Sequence, residues 1–253
     1  MDNSENSPDS LFHYTTIETL LKLFEGIKEI NGEKYFVFHA SSVDYMNDSM
    51  EYQAVLNMCK TDVEEIEIST IKGEPYALSF SECDDSIPMW SMYSNFGKGV
   101  CFQFKFSALM DHFKEHYKDS SFKKCFYEKI EKQNEDKPFS PNDGETIHKI
   151  KNWDDELEDA AFFKDISFKN ESEWRLMRWD SYLTQEHAIK FKSSSYVIVP
   201  YMEVIVPTNS LEKIILGRCA DERNIESIKR LKLNTDKYLN FEIQKSTVTL
   251  KLK

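Results

Sequence analysis

The order of apolar and polar positions predicts helices and strands that alternate along the chain. Apolar residues spaced three and four apart follow the capping-box motif at 15–18 and define one side of a helix that ends near Gly26. The segment 34–40, KYFVFHA, alternates as a strand does. The same signals predict helices at 48–59, 86–94, 107–117, 154–163 and 222–231, strands at 76–81, 99–105, 122–130, 171–179, 196–206 and 213–216, and a closing hairpin of 238–243 and 247–252. Strands outnumber helices, which indicates an α+β fold.

The domain organisation follows from length and from irregular stretches. A chain of 253 residues without an internal repeat or a Pro/Gly/Ser-rich linker is expected to form one domain. Residues 1–10 are polar and acidic, and we expect them to be disordered. The polar stretch 132–152, which contains two prolines and a glycine, predicts a surface excursion from a domain that spans 11–253.

Composition excludes several functional classes. A net charge of −12 argues against a broad surface for nucleic acid, although residues 213–253 carry ten basic and five acidic side chains. The mean hydropathy of −0.56 argues against a membrane protein. The glycines form neither of the phosphate-binding motifs GxGxxG and GxxxxGK[ST]. Five scattered cysteines indicate reduced thiols, and no apolar signal segment is seen, so we expect a cytoplasmic protein.

Two segments in the first half of the chain could carry binding chemistry. His13 directly precedes a capped helix, where the helix N-terminus favours a phosphate or hydroxyl; the alternative is a half-buried histidine that donates to a backbone carbonyl. Trp90 and Tyr93 share one face of a short helix and could enclose a flat heterocycle. Burial in the core is the alternative for both rings.

A third segment, 168–175, has the sequence FKNESEWR. Strand alternation places Glu171, Glu173 and Arg175 on one face, which we expect to line an exposed cleft, and Trp174 on the other. A carboxylate beside an arginine stays ionised and can stabilise the positive charge that develops on a sugar carbon during glycosidic cleavage. A solvated strand face with an ion pair is the alternative.

Taken together, these motifs resemble one family. The runs HYTT and YMND, then LSFSE, MWS, GKGVCF, and finally FKNESEWRL and EKIILG, look like the bacterial DUF2971 family, which is similar to the ADP-ribosyltransferase fold. The resemblance implies a split, two-sheet β core with flanking helices. It also implies that NAD binds in the cleft and that ADP-ribose is transferred with loss of nicotinamide.

The resemblance also implies site residues. Glu173 takes the place of the catalytic glutamate, and Glu171 that of the residue that orients the acceptor. His13 would contact the NAD ribose, with Tyr14 and Thr15 beside it. The remaining NAD-binding candidates are Trp90 and Tyr93 as stacking rings, Ser81 as a triad member, Asn47 and Asp48 as residues that shape the cleft or orient His13, and Arg175 as the partner of a carboxylate or phosphate.

Several functions remain open at this point. The acceptor is a protein or a nucleic acid, and water as acceptor would make the chain an NAD glycohydrolase. Bacterial transferases of this type act as toxins or in phage defence, which implies an antitoxin or immunity partner. A non-catalytic interaction protein is a further alternative. His112 and His116 fit the zinc-hydrolase motif HxxEH, but they lie at the edge of an apolar helix face and no third ligand is evident, so no metal is expected.

Overall fold

The structure is a computed structural model that describes residues 7–46, 73–128, 161–180, 189–194, 196–235 and 239–248. Over these residues it contains four α-helices: α1 (Ile17–Glu25), α2 (Ile87–Tyr93), α3 (Phe106–His116) and α4 (Arg223–Thr235). The described strands are β1 (Ser10–Thr15), β2 (Lys28–Ile30), β3 (Glu33–Ser42), β4 (Glu74–Ser81), β5 (Val100–Lys105), β6 (Ser121–Lys124), β7 (Phe126–Glu128), β8 (Phe163–Asp165), β9 (Glu173–Asp180), β10 (Lys190–Ser194), β11 (Val197–Pro207), β12 (Leu211–Leu216) and β13 (Glu242–Lys245).

Eleven of the described strands form one mixed sheet. Its main order is β10-β11-β3-β4-β1-β5-β12-β13, while β2 pairs with β3, β9 with β4, and β6 with β9. The strands β7 and β8 form a separate parallel pair. A large mixed sheet with few helices confirms the α+β class. In the part of the chain that the structure describes, no helix combines the length and the apolar character needed to cross a membrane.

The main core lies between this sheet and the helices that pack on it. Phe38, Phe80 and Phe104 come from three strands, and their ring centroids lie 5.9 to 6.5 Å apart. Helix α1 adds Leu20, Leu23 and Phe24, whose i, i+3, i+4 spacing places them on one buried stripe. Such aromatic pairs bury large apolar areas and fix the relative position of the strands.

Strand β4 is paired continuously along one edge but only in part along the other, and this difference determines where the site lies. Its whole length pairs with β9 along one edge. Along the other edge, Tyr76 and Ala77 pair with β3, and Ser81 pairs with β1. Between these contacts β3 and β1 diverge, so a gap opens along the middle of β4.

A tight turn holds the strands that flank this region together. The Gly97-Lys98-Gly99 turn precedes β5, and Gly97 has a φ of 76°, which favours glycine. A Cβ on Gly99 would lie 2.1 Å from the carbonyl oxygen of Thr15, and one on Gly217 would lie 2.2 Å from that of Gly97. Close backbone packing therefore explains Gly99 and Gly217, and the positive φ explains Gly97.

Most predicted elements are confirmed within a few residues, but several boundaries are wrong. Ser10 already belongs to β1, so predicted disorder does not extend to it, and residues 1–6 lie outside the described residues. Thr16, not Thr15, is the N-cap of α1. The strand predicted at 122–130 is divided into β6 and β7, and the strand predicted from Glu171 begins at Glu173.

Some predicted elements adjoin or fall within residues that the structure does not describe. Phe163 begins β8, so the helix predicted to reach it does not. Strand β13, which overlaps the first half of the predicted hairpin, pairs in parallel with β12, and the hairpin itself stays a prediction because residues 249–252 lie outside the described residues. The predicted helix at 48–59, the surface excursion at 132–152 and most of the final strand at 247–252 lie outside the described residues.

Candidate functional site

A cavity of about 280 Å³ opens at the gap beside β4. Strands β1 and β4 form its base, and residues from β3, α2, β8, β9, β10 and β11 complete its walls. Its size is at the lower end of the range for small-molecule sites. Eleven residues with a polar side-chain group line it: His13, Tyr14, Ser41, Tyr45, Ser79, Ser81, Tyr93, Lys164, Glu171, Glu173 and Lys192.

His13 fills the gap between β1 and β4. Its Nδ1 lies 2.9 Å from the carbonyl oxygen of Ser79, which is only an acceptor, so Nδ1 carries the hydrogen and donates. The ring contacts the edges of Phe38 and Phe80. Burial lowers the pKa of His13, against the effect of the Ser79 carbonyl, and Lys192 lowers it further. The ring is therefore neutral at pH 7 and its Nε2 is an acceptor.

Of the two interpretations of His13 from the sequence, the bond to a backbone carbonyl is confirmed, and contact with a ligand stays a prediction. His13 also lines the cavity. Ser79 lines the same cavity, and its Oγ is buried without a hydrogen-bond partner among the described residues. Because buried hydroxyls are normally paired, this oxygen is suited to a polar ligand group.

Two glutamates meet on one lysine at the wall formed by β8 and β9. Lys164 Nζ donates to Oε2 of Glu173 over 2.6 Å and also to Oε2 of Glu171. Arg175 Nε donates to Oε1 of Glu173 over 2.7 Å, and its Nη1 donates to the carbonyl of Ala161. All four charged side chains are at least 94 % buried. We call these residues, Lys164, Glu171, Glu173 and Arg175, the charge cluster.

The electrostatics of the charge cluster keep Glu173 ionised. Burial alone would raise its pKa, but the positive charges of Arg175 and Lys164 and their hydrogen bonds hold the pKa at about 2. The expectation that Glu173 lies on an exposed face is wrong, because only 4 % of the residue is exposed. A solvated ion pair, the alternative from the sequence, is equally excluded.

The local backbone explains how Glu171 and Glu173 come together although they do not share a strand. Glu171 ends a 3₁₀ helix, Ile166–Glu171, and Ser172 follows with a φ of 41° in the left-handed region before β9 begins. Ser81 Oγ donates to the Glu171 carbonyl over 2.6 Å, and the Glu173 amide donates to the Tyr127 hydroxyl. These contacts fix the turn, so Ser81 acts as a positioning residue on the cavity wall.

The two rings of α2 have different environments. Tyr93 lines the cavity, and its hydroxyl donates to Oε1 of Glu171. Burial and the negative charge of Glu171 raise the pKa of Tyr93, so it stays protonated. Trp90 is completely buried, packs edge-on against Tyr14 and donates to Asp85. The prediction that Trp90 stacks on a ligand is therefore wrong; it is a core residue.

The remaining predicted site residues are only partly brought together. Tyr14 lines the cavity, but its hydroxyl donates to the Cys83 carbonyl and accepts from the Ser86 amide. Thr15 is buried and outside the lining, and Arg175 faces Glu173 rather than the cavity. Asn47 and Asp48 lie outside the described residues.

Five residues with a polar side-chain group that sequence reasoning missed line the cavity: Ser41, Tyr45, Ser79, Lys164 and Lys192. Lys164 is the centre of the charge cluster, and Ser41 and Lys192 line the cavity with a hydrogen bond of 2.9 Å between them. No local motif marks the two lysines. Ser79 could have been found, since it shares a strand face with Ser81 and small polar residues are unusual inside a buried strand.

The HxxEH motif has no metal geometry. His112 Nε2 donates to the Ile205 carbonyl and His116 Nδ1 donates to the His112 carbonyl, so each ring has one nitrogen committed to backbone. Across the ranges that the structure describes, no three potential metal ligands of the His, Cys, Asp and Glu types lie together. Nothing in the structure favours the zinc hydrolase alternative.

Residues 89–176 match the family model DUF2971, described as a protein of unknown function. The matched segment contains Tyr93 and the whole charge cluster, whereas His13, Ser79 and Lys192 lie outside it. Comparisons with curated proteins and with solved structures find no match. The match supports the resemblance to DUF2971, and it covers the part of the chain that holds the glutamates.

Proposed function

We propose that this chain binds NAD in the cavity, cleaves the bond between nicotinamide and ribose, and transfers ADP-ribose to a protein or nucleic-acid acceptor. One observation carries the proposal: a buried, ionised Glu173 lies beside Glu171 at a cavity that His13 and Ser79 also line, and the Ser79 hydroxyl has no hydrogen-bond partner among the described residues. Paired carboxylates beside a sugar-sized cavity are suited to glycosidic chemistry.

The ionisation of Glu173 is compatible with NAD as the substrate. Hydrolysis of an ordinary glycoside requires a protonated carboxyl group, because the leaving oxygen must gain a proton. With a pKa of about 2, Glu173 cannot supply that proton near pH 7. The pyridinium nitrogen of NAD needs no proton, since it takes the bonding electron pair and leaves as neutral nicotinamide. An ionised Glu173 is therefore compatible with an N-glycoside of this type, whose departure needs no proton from that carboxyl group.

The residues of the chain then have distinct tasks. Glu173 stabilises the positive charge that develops on the anomeric carbon, and because Lys164 and Arg175 already orient its carboxylate, little reorganisation is needed. Glu171 orients the attacking group of the acceptor, which forms the new bond to the anomeric carbon and releases its proton to solvent. Tyr93 and Lys164 hold the Glu171 carboxylate in place for this task.

The polar groups near β4 fit a ribose. His13 Nε2 accepts a hydrogen bond from a hydroxyl, and Ser79 Oγ, which has no partner among the described residues, can donate or accept one. The cavity of about 280 Å³ has room for one half of a dinucleotide, so the other half would extend over the surface. In the described residues β3, β4 and β1 belong to one sheet, so the split β core that the resemblance to ADP-ribosyltransferases implies stays a prediction.

The test is release of nicotinamide from NAD by the purified full chain. We expect release by the wild type and a loss of at least about a hundredfold in Glu173→Gln, because the uncharged amide cannot stabilise the developing cation. Glu212→Gln is the matched control, since Glu212 accepts hydrogen bonds from Ser10 and Gln103 away from the cavity. Equal activity in Glu173→Gln would exclude the assignment.

The group that accepts ADP-ribose distinguishes a transferase from an NAD glycohydrolase. If nicotinamide is released and all ADP-ribose stays free in the presence of cell extract, water is the acceptor and the chain is an NAD glycohydrolase. If NAD is neither bound nor consumed with extract present, the cavity serves another ligand and the chemical proposal is wrong.

A further inference from the structure

Lys192 is a cation that lines the cavity and has no acidic partner among the described residues. Its Nζ donates to Ser41 Oγ over 2.9 Å and lies 5.6 Å from the centre of the Tyr201 ring. Among the described residues, no carboxylate lies within ion-pair distance of it, and the charged group that most affects its pKa is another cation, Lys22. Burial lowers the pKa of Lys192, and Lys22 acts in the same direction. An anionic group of a ligand would stabilise the half-buried ammonium group of Lys192.

Neighbouring lysines show that this arrangement is particular to Lys192. Lys190, two residues earlier on β10, forms an ion pair with Glu203 over 2.6 Å, and Lys28 pairs with the other oxygen of the same carboxylate. Lys164 in the cavity is bound to two glutamates. Among the described residues that line the cavity, Lys192 is therefore the cation that is available to bind an anionic group of a ligand.

Ser41 adds a second donor beside Lys192. Its Oγ accepts the hydrogen bond from Lys192, so its own hydroxyl hydrogen stays available for a further acceptor. An ammonium group and a hydroxyl side by side form a compact site for a phosphate oxygen, since hydrogen bonds from a charged donor to phosphate are strong. The pair lies on β10 and β3, on a different wall from the charge cluster on β8 and β9.

We propose that Lys192 and Ser41 form a phosphate subsite that holds the diphosphate of the dinucleotide. This inference rests on the proposed function, and it gives the ligand a direction in the cavity: the sugar carbon that reacts lies near Glu173, and the diphosphate lies near Lys192. It also makes phosphate a requirement for tight binding, so that NAD and ADP-ribose bind better than nicotinamide riboside.

The experiment is calorimetric titration of the full chain with inorganic pyrophosphate at near-physiological salt. We expect the wild type to bind and the affinity of Lys192→Gln to be lower by about tenfold to a hundredfold, the effect of one charged hydrogen bond. Lys190→Gln is the matched control on the same strand and should bind as the wild type does. Lys192→Arg should retain most of the affinity, since it keeps the charge.

Three results would overturn the subsite: no binding of pyrophosphate to the wild type, equal binding to Lys192→Gln, or an equal loss in Lys190→Gln. A second titration with ADP-ribose separates this inference from the proposed function. If pyrophosphate binding depends on Lys192 but ADP-ribose does not bind, the phosphate subsite stands and the NAD proposal fails. If Lys192→Gln weakens ADP-ribose and leaves nicotinamide riboside unchanged, the subsite belongs to the dinucleotide.

Discussion

The ammonium group of Lys164 donates to the carboxylate of Glu173 over 2.6 Å, with each side chain at least 94 % buried. The same ammonium group also binds Glu171, so one cation neutralises parts of two carboxylates. Arg175 supplies the second positive charge. The charge cluster is therefore electrically balanced, and the position of each glutamate depends on Lys164.

Replacement of Lys164 should strongly destabilise the fold. Lys164→Met removes the cation that Glu171 and Glu173 share, and breaking a buried ion pair in this way costs about 3–5 kcal/mol of unfolding free energy. Denaturant unfolding measures the change. Lys124→Met is the control, since Lys124 and Glu82 form an exposed pair worth about 1 kcal/mol or less. A loss in Lys164→Met no larger than in the control would show that the cluster contributes little.

Replacement of His13 should weaken binding of NAD. In His13→Ala the ring that presents an acceptor to the cavity is gone, so we expect KM to rise about tenfold while kcat stays close to that of the wild type. Steady-state kinetics of nicotinamide release separate the two parameters. His39→Ala is the control, because His39 stacks on Tyr201 and is not part of the cavity lining. An unchanged KM in His13→Ala would remove His13 from the site.

Replacement of Trp90 should affect stability and not ligand binding. Trp90→Phe loses the hydrogen bond to Asp85 and part of the contact with Tyr14, so we expect a loss of about 1–3 kcal/mol in unfolding free energy. The affinity for NAD should stay the same, since Trp90 is fully buried. Unfolding curves and titration with NAD test both statements. A weaker affinity at unchanged stability would return Trp90 to the ligand site.

Stability should fall when the pH decreases from about 6.5 to 4, partly because of His112. Burial lowers the pKa of His112 to about 4, against the effect of its bond to the Ile205 carbonyl, and His116 lowers it further. In this range the unfolded chain, with an ordinary histidine pKa near 6.5, binds a proton that folded His112 does not, which favours unfolding. His112→Gln should show a smaller loss between pH 6.5 and 4.5 in denaturant midpoints. An identical pH profile would contradict this assignment.

The sequence was sufficient for the elements whose periodicity is set locally. Helix α1, with Leu20, Leu23 and Phe24 on one stripe, and strand β3, with its alternating aromatic residues, are recognisable because each buries one face against the same core. The break between β6 and β7 and the parallel pairing of β13 with β12 depend on contacts between distant segments. Local patterns do not contain that information.

The same distinction applies to the candidate site. Glu173, Glu171 and His13 stand in recognisable motifs, and the structure brings all three to one cavity. Lys164, Ser41 and Lys192 were not predicted, because their importance comes from the strands that bring them near the glutamates and His13. Trp90 shows the opposite error. A motif with suitable chemistry was assigned to the ligand, although the ring fills the core.

The most direct test of the proposed function is incubation of the purified full chain with NAD labelled in its ADP-ribose part, together with cell extract that is then divided into protein and nucleic-acid fractions. We expect covalent label in one of these fractions with the wild type and with Glu212→Gln, and none with Glu173→Gln. The labelled fraction identifies the class of acceptor. Label that appears equally with Glu173→Gln, or NAD that remains intact with the wild type, would contradict the assignment of Glu173 as the catalytic residue of an ADP-ribosyltransferase.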